Sequence, residues 1–482
     1  HVYYAPKNNL LSTIVLELGP STPTQMKEIT KLNLASFISA SADGKLIFSD
    51  SKSGMVYEYD RKSSETKPIL RWEDIDHYES SFRNVIRLSP DKLLAEYWDY
   101  NTQTLLLLSK TSVDQLPKKE IVVLASLLPS SELKESVIGF NRQSSQYHVI
   151  IETYGAKLYE SEGEPRLDAT LVSSTPPDLL DMHDVHKYAD RDALEDLTPY
   201  LEGSTLVPLD DYLETVVDGY TINGKLVCVP TQFVLSMVIG RASQLDSLGP
   251  EGGWTMEDVY ALSEKYPGCI ALHTLTNSGP EKKSFILERF CSTYFLEKYV
   301  DLESGTCNFD SDGFRQMLTW VDDYSGEPVE IPVDPTLNAV ILKGVFMPEN
   351  ALLSMRNYYN FGVSSLADEY RFKEEIRLLG MPTADGRNQG FVLVRDSLGI
   401  TSNARNKEGA WAFLEYFLSK NKVRTMGGYL PTRKSQLDIM FSSAVTPPPV
   451  DETTGEYDMA GRTRFFYGID EKIQYYYTPL RL

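Results

Sequence analysis

A cluster of polar side chains, Asp181, His183 and Asp184, directly follows the apolar pair Leu179-Leu180. If that pair belongs to a parallel strand, the cluster stands at the strand's carboxyl end, where ligands bind in open α/β sheets. Carboxylates and an imidazole can then hydrogen-bond the hydroxyl groups of a ligand. The same residues also suit the surface start of a helix, where carboxylates interact favourably with the helix dipole. Both interpretations stay open.

Two further pairs of side chains follow apolar runs later in the chain. Gln232 and Phe233 come after the segment 226–230, and Arg356 and Tyr358 come after the run 351–355. An arginine and a tyrosine at a strand end form a suitable platform for a polar ring, because the aromatic face covers C–H groups while the guanidinium donates hydrogen bonds. Ordinary packing, with Phe233 in the core, is the alternative.

Tyr429 stands in a third setting, a loop that contains Gly427 and Gly428. Glycine lets a backbone approach a ligand closely, so Tyr429 is also a candidate contact. A plain turn is the alternative.

Catalytic and metal-binding patterns have little support. His183 and His186 lie near Asp178, but they come without a cysteine or a second histidine cluster, so we predict no metal site. The GxSxG, P-loop and GxGxxG patterns are absent, which argues against common hydrolases, NTPases and dinucleotide enzymes. We therefore predict no cofactor and no catalysis. Glycoside cleavage by a pair of carboxylates is the enzymatic alternative.

The segments that must position these residues alternate between strand and helix from about residue 120. The apolar run 121–125 is typical of a buried strand, Pro129-Ser130 opens a helix, and 148–154 is a second strand. Strand, helix and strand in this order predict a parallel sheet in an α/β fold. Thr255 with Asp258 predicts a capped helix start.

Residues 1–119 show a different pattern, short alternating strands separated by turns. Turn signals at Asp43-Gly44 and Pro90-Asp91 recur at a spacing close to the blade period of propeller repeats. The pattern predicts an antiparallel β-meander that resembles propeller blades. About two such units are too few to close a ring.

Length and charge limit the classes of function. The chain has 482 residues, which predicts two to four domains, and a formal net charge of −21. Nucleic acid is an unlikely partner for such a chain, because neutralising phosphates needs basic stripes that the sequence lacks. Four cysteines without CxxC spacing exclude a disulfide scaffold, and Cys228 and Cys291 are expected to be buried thiols.

The chain contains no apolar run long enough to span a bilayer. It begins at His1 without an initiator Met, so we expect a trimmed chain, and whether a signal peptide or an upstream lipid anchor was removed stays open.

An ordered series of motifs runs through the chain after residue 120. The motifs are Phe140-Asn141, Pro177-Asp178, Glu195-Asp-Leu-Thr-Pro-Tyr-Leu201, Asn223-Gly-Lys-Leu-Val-Cys-Val-Pro230, Gly253-Trp-Thr255, Gly380-Met-Pro382 with Gly386, Asn406-Lys-Glu-Gly-Ala-Trp-Ala-Phe-Leu414 and Tyr429-Leu-Pro-Thr-Arg433. This series resembles that of extracellular solute-binding proteins of sugar-importing ABC transporters, the maltose-binding-like class. The chain differs from that class in its leading β region and in the absence of a terminal helical pair.

The resemblance implies a two-lobed fold of the type II periplasmic-binding-protein kind. It implies a first lobe of residues 120–230 plus 345–410 and a second lobe of residues 231–344 plus 411–482, after the β region 1–119. It also implies that a carbohydrate binds between the lobes by hinge closure. The expected partner is an ABC transporter permease, and the expected state is a monomer that is periplasmic or lipid-anchored at the cell surface. A surface glycan-binding or sensing protein without a transporter is the alternative.

Overall fold

The protein was analysed as a computed structural model. The structure describes residues 2–4, 13–19, 22–32, 35–41, 43–50, 54–77, 82–99, 102–112, 115, 118–155, 163–182, 184–246, 248, 253–267, 269–273, 280–301, 304–323, 351–358, 375–395, 397–420 and 429–445. The chain forms two compact units. Unit 1 comprises His1–Tyr200 and Leu398–Ser419, and unit 2 comprises Leu201–Ser397 and Lys420–Leu482.

Unit 1 begins with three antiparallel sheets. Their strands are β1 (Val2–Tyr4), β2 (Thr13–Gly19) and β3 (Thr22–Leu32); β4 (Ala35–Ala40), β5 (Leu46–Asp50), β6 (Met55–Asp60) and β7 (Glu65–Arg71); and β8 (Phe82–Ser89), β9 (Lys92–Asp99) and β10 (Thr102–Ser109). Each strand pairs with the next one in its sheet, as hairpins with short turns do. The predicted antiparallel region is confirmed, whereas its kinship with propeller blades stays a prediction.

Trp72 lies at the centre of the core of this β region. It packs against Phe82, with ring centroids 3.6 Å apart, and its Nε1 donates to Ser49 Oγ at 3.2 Å. Val56 and Val85 contribute from the second and third sheets and are fully buried. One shared core therefore holds these two sheets together.

The rest of unit 1 is an α/β layer. Its elements are β11 (Glu120–Ser126), α1 (Ser131–Gln143), β12 (Tyr147–Thr153), α2 (Gly163–Leu171), β13 (Leu179–Asp181), α3 (Val185–Ala189) and α4 (Thr198–Glu202). Strand β11 is parallel to β12 on one side and to β13 on the other. The predicted strand–helix–strand order and parallel sheet are confirmed.

Two motif residues hold this layer together from inside. Asn141, at the end of α1, is buried and makes a pair of hydrogen bonds with the backbone of Val149, accepting at 2.7 Å and donating at 2.9 Å. Asp178 accepts from the backbone N–H groups of Val123, Arg405 and Asn406, each at 2.9 Å. The motifs around these residues therefore have structural causes.

The chain returns to unit 1 at Leu398, after residues 201–397 have contributed to unit 2. It adds β23 (Leu398–Ile400), antiparallel to β13, and α11 (Lys407–Ser419). Phe413 of α11 meets Phe140 of α1 edge to face, with centroids 5.4 Å apart. The numbers β14–β22 and α5–α10 belong to unit 2.

Unit 2 is mixed, with many short elements. Its helices are α5 (Glu214–Gly219), α6 (Ala242–Leu245), α7 (Met256–Lys265), α8 (Pro280–Phe285), α9 (Ser292–Tyr299), α10 (Asp312–Asp323) and α12 (Lys434–Val445). Its strands are β14 (Thr221–Ile222), β15 (Lys225–Leu226), β16 (Gln232–Arg241), β17 (Ile270–His273), β18 (Val300–Asp301), β19 (Thr306–Cys307), β20 (Ala351–Tyr358), β21 (Ile376–Leu379), β22 (Phe391–Arg395) and β24 (Leu430–Pro431).

Strand β16 is the central strand of a six-stranded sheet. It pairs antiparallel with β20 on one edge and with β21 and β22 on the other. At Gln232 and Phe233, before the pairing with β20 begins, it pairs antiparallel with β24. Gly240 is required in β16, because a side chain there would overlap the carbonyl oxygen of Leu352. This sheet gathers strands from residues 232 to 431.

The core of unit 2 surrounds Trp254. This residue is buried, as predicted, and its Nε1 donates to Gly380 O at 2.8 Å. Helix α7 begins directly after it with a capping box, in which Thr255 and Asp258 exchange side-chain and backbone hydrogen bonds. The predicted helix start is confirmed.

Some details differ from the sequence-based expectations. Cys228 is buried as expected and lies in the segment between β15 and β16. Residues 201–230 and 345–397 group with unit 2, and 411–419 with unit 1. The units follow strand pairing while the predicted lobe boundaries follow the motifs, and those boundaries stay a prediction.

Candidate functional site

Two strand ends meet at one edge of the sheet in unit 1. Ser126 is the last residue of β11, Asp181 is the last residue of β13, and the two are paired in the parallel ladder. The Ser126 hydroxyl donates to Asp181 Oδ2 at 2.6 Å. This is the carboxyl edge at which open α/β sheets bind ligands. Asp181 was predicted at a strand end from the sequence, whereas Ser126, which follows the apolar run 121–125, was not predicted.

Asp184 lies just beyond this edge, in a different role. It is the N-cap of α3 and accepts from Lys187 N at 3.2 Å. This is the helix-start arrangement that the alternative interpretation describes. His183, which the sequence analysis grouped with these two aspartates, lies outside the described residues.

Three predicted residues come together on one face of the central sheet of unit 2. Leu235 of β16 pairs with Tyr358 of β20, and Met237 pairs with Arg356. Phe233, two positions before Leu235, shares that face because side chains in a strand alternate. Phe233 therefore shares one face with Arg356 and Tyr358, although more than a hundred residues separate it from them in the sequence.

The chemical character of these three residues differs. Phe233 packs in an apolar cluster with Leu430 and Met440, as its alternative interpretation expected. Tyr358 is buried against Ile239, and Arg356 is only 7% exposed. A guanidinium held in so little water favours hydrogen bonds to polar partners strongly, because an unsatisfied buried donor is costly.

A residue that the sequence analysis missed lies on the same strand. Ser354 has an exposed fraction of 0%, and its hydroxyl has no hydrogen-bond partner among the described residues. Two-residue spacing places Ser354, Arg356 and Tyr358 on one face of β20, a set called the β20 polar row below. A serine inside an otherwise apolar strand was the available signal.

The remaining two predicted residues lie close to this sheet. Gln232 is the buried first residue of β16 and pairs with Arg395 and Pro431 on its two sides. Tyr429 is half-buried and directly precedes β24, which pairs with β16. In the part of unit 2 that the structure describes, five predicted residues thus belong to, or adjoin, neighbouring strands.

The loop after Tyr429 has a structural function of its own. Arg433 Nε donates to Asp211 Oδ2 at 2.7 Å, and the Thr432 hydroxyl donates to Pro230 O at 2.7 Å. Burial alone would raise the pKa of Asp211, but hydrogen bonds from Ser435 and Arg433 outweigh it and lower that pKa. The loop is therefore anchored to two segments that precede β16 in the chain.

Two buried titratable groups of this region have raised pKa values. Burial raises the pKa of the Cys228 thiol to about 12, so the thiol stays protonated at neutral pH and is a poor nucleophile. Burial likewise raises the pKa of Tyr220 to about 12. Among the described residues, no group of three His, Cys, Asp or Glu side chains is placed to hold a metal ion.

Comparison with known proteins places the chain in a family. The sequence profile described as "Bacterial extracellular solute-binding protein" matches residues 140–447, which is more than half of the chain. The chain belongs to the bacterial extracellular solute-binding proteins, and the predicted two-lobed α/β solute-binding fold is confirmed with it. Among curated proteins, no sequence matches the chain.

Several solved structures are similar to this one. They include the cyclic alpha-maltosyl-1,6-maltose binding protein of Arthrobacter globiformis (16% identity, 68% of this chain and 84% of that chain, TM-score 0.42). The sugar-binding protein MalE of Xanthomonas citri is similar at 19% identity, over 67% of this chain and 84% of that chain, with a TM-score of 0.43. An ABC substrate-binding protein of Listeria monocytogenes in complex with cycloalternan is similar at 17% identity, over 67% of this chain and 83% of that chain, with a TM-score of 0.42.

Within the described part of the chain, no helix combines the length and the apolar character needed to cross a bilayer.

Proposed function

We propose that this solute-binding protein is the receptor of an ABC importer and that it binds an oligosaccharide without turning it over. The β20 polar row is the observation that carries the choice of ligand. A hydroxyl, a guanidinium and a phenol on one strand face match a ligand that offers many hydroxyl groups. The motif series supports the importer role, with a permease as partner and a periplasmic or lipid-anchored location.

Ser354 makes the proposal testable in an unusual way. Its hydroxyl is buried and has no partner among the described residues, so removing it breaks no described hydrogen bond. Replacing it with alanine is therefore expected to leave unliganded stability unchanged or to raise it slightly. If the hydroxyl bonds the ligand, the same change weakens binding by about 0.5–1.5 kcal/mol, which is roughly three- to tenfold in affinity.

Arg356 is the second residue to test, and Arg377 provides a matched control. Both are arginines in strands of the same sheet, but Arg377 Nη1 donates to the carbonyls of Leu245 and Leu248, each at 2.8 Å. Arg356→Lys keeps the charge but loses the planar fork, and we expect about a tenfold or greater loss of affinity. Arg377→Lys is expected to lower stability and to leave affinity unchanged.

The experiment is a calorimetric titration with a panel of oligosaccharides, together with an assay for cleaved products. Binding without products, weakened by Ser354→Ala and Arg356→Lys but not by Arg377→Lys, supports the proposal. Cleaved products would favour the glycoside-cleaving alternative. Binding that is normal in both variants would show that the β20 polar row is not the contact.

The importer role needs a separate test. The receptor is added to vesicles that contain a candidate ABC sugar transporter from the same organism, and ATP hydrolysis is measured with and without the sugar that binds. Stimulation by liganded receptor supports the role. Sugar binding without any stimulation would favour a surface glycan-binding or sensing protein.

A further inference from the structure

Strand β10 has an edge that lacks the usual protections. Its ladder with β9 runs over all eight residues without a bulge, and no described strand pairs with its other edge. Its sequence, Thr-Gln-Thr-Leu-Leu-Leu-Leu-Ser, carries no charge and no proline. Natural sheets block open edges with charges, prolines or bulges, because free N–H and C=O groups pair readily with another strand.

The outer face of the same sheet carries exposed apolar side chains. Leu105 is 65% exposed and Leu107 is 57% exposed, and Leu107 pairs with Leu94, which pairs in turn with Ile86. The apolar part of this face is formed by Ile86, Leu88, Leu94, Trp98, Leu105 and Leu107, and the register places Asn84, Lys92, Glu96 and Gln103 on the same face. Exposed apolar side chains that are contiguous in this way mark interaction surfaces.

The polar groups on this face bond to one another. The Glu96 carboxylate accepts from Trp98 Nε1 at 3.0 Å and from Gln103 Nε2 at 2.6 Å. The acid therefore already has donors within its own sheet, and the indole ring of Trp98 is fixed in place. A partner that covers the face needs to supply no counter-charge for Glu96.

The charge of the segment differs from that of the whole chain. The chain carries a net charge of −21, whereas residues 82–110 contain four basic and three acidic side chains. Two copies that meet at this sheet therefore avoid most of the repulsion that acidic surfaces would cause elsewhere.

We propose that β10 pairs antiparallel with β10 of a second copy of this chain. Pairing is favoured when the incoming strand is also regular, uncharged and open at one edge, and β10 of a second copy has all three properties. Antiparallel pairing about a two-fold axis covers the open β10 edge of each copy. Neither copy then has a free β10 edge, so association stops at the dimer. This state goes beyond the proposed sugar-binding function and differs from the monomer that the sequence analysis expected.

The side-chain pattern selects a register for this pairing. Residues that face each other in an antiparallel ladder lie on the same face of the sheet, so Leu105 meets Leu107 of the second copy when Leu106 meets itself on the axis. The two outer faces then join into one apolar surface across six strands. A single strand pair makes a small interface, so the dimer is expected to dissociate on the order of micromolar concentrations.

Sedimentation of three forms of the chain tests the proposal. Leu107→Lys places a charge beside the axis and is expected to weaken the dimer at least about tenfold. Leu206→Lys is the matched control, because Leu206 is also 57% exposed but lies in unit 2. The proposal is supported if the wild type and Leu206→Lys dimerise and Leu107→Lys does not. A monomeric wild type at high micromolar concentration, or a dimer that tolerates Leu107→Lys, overturns it.

Cysteine cross-linking tests the register. In a Cys307→Ser background, which removes the exposed native thiol, Leu106→Cys is expected to form a disulfide between copies under mild oxidation. Directly opposed residues in an antiparallel pair lie within the reach of a disulfide. Leu206→Cys is the control and is expected to stay unlinked. Equal linking of both variants, or of neither, overturns the proposed register.

Discussion

Asp178 provides the sharpest test of how unit 1 is held together. It is only 4% exposed and accepts three backbone hydrogen bonds, from Val123 in β11 and from Arg405 and Asn406 ahead of α11. One carboxylate therefore ties the first strand of the sheet to a loop that arrives more than two hundred residues later. We predict that Asp178→Ala destabilises unit 1 strongly.

The magnitude follows from the three donors. The Val123 N–H lies within the sheet and loses its acceptor outright, at a cost of about 1–3 kcal/mol. Arg405 is exposed and Asn406 is half-buried, so water can replace part of what their N–H groups lose. Together, the three lost hydrogen bonds are expected to lower the free energy of unfolding of Asp178→Ala by about 3 kcal/mol. Asp178→Asn keeps one acceptor oxygen but turns an NH₂ group toward a backbone donor. We therefore expect it to lower the free energy of unfolding by about 2 kcal/mol.

The measurement combines urea denaturation with amide hydrogen exchange read by peptide. Two compact units need not unfold together, so exchange shows which one is weakened. We expect faster exchange in β11, β13 and the start of α11, and little change in unit 2. Asp184→Asn is the control, since asparagine caps a helix about as well as aspartate, and its expected effect is near zero. An Asp178→Ala protein with wild-type stability, or one weakened equally in both units, would refute the reasoning.

Three further predictions concern helix α7 and its surroundings in unit 2. Burial acts to raise the pKa of Glu257, but hydrogen bonds, first of all the one from Lys298, lower that pKa from 4.5 to about 2. The ion pair therefore stabilises the folded protein fully above pH 4.5, and this stabilisation is lost as the pH falls toward 2. The Glu257 side chain is 58% exposed, so solvent screens the ion pair. Between about pH 5 and pH 3 we expect the free energy of unfolding, measured in urea titrations, to fall by only about 1 kcal/mol more in the wild type than in Glu257→Gln. Equal losses of stability in the two proteins would contradict this. Thr255→Ala removes the capping box and should cost about 0.5–2 kcal/mol, measured by urea denaturation, with Thr255→Ser as a near-neutral control. Gly253→Ala would overlap the carbonyl oxygen of Gly386, so its thermal midpoint should fall clearly, and an unchanged midpoint would show that the turn can shift.

Local features of unit 1 could be predicted well from the sequence. Strand β11 and helix α1 follow from apolar runs and from Ser130, which caps α1 by accepting from Leu133 N at 3.1 Å. Such signals act within a few residues, where hydrogen-bond geometry and side-chain alternation leave few choices. The hairpins of the leading β region are predictable for the same reason.

Longer-range features could not be predicted in the same way. No local pattern shows that Arg356 faces Met237, because that register is set by a strand pairing across more than a hundred residues. The sequence offered Arg356 and Tyr358 as a pair. For Ser354 it offered only a serine within the apolar run 351–355, and the burial of that hydroxyl without a described partner becomes visible only in the structure. The structural work of Asp178 is hidden likewise, since its three donors are distant in the chain.

The composition of the two sheets bears on when the protein can fold during synthesis. Unit 1 closes its sheet with β23, and unit 2 completes its own with β24, both drawn from the last quarter of the chain. The sheet of unit 1 is not whole until residue 400 has been made, and that of unit 2 is not whole until residue 431. Both sheets therefore stay incomplete until late in translation, so neither can close before a secretion apparatus has had most of the synthesis time to engage the chain.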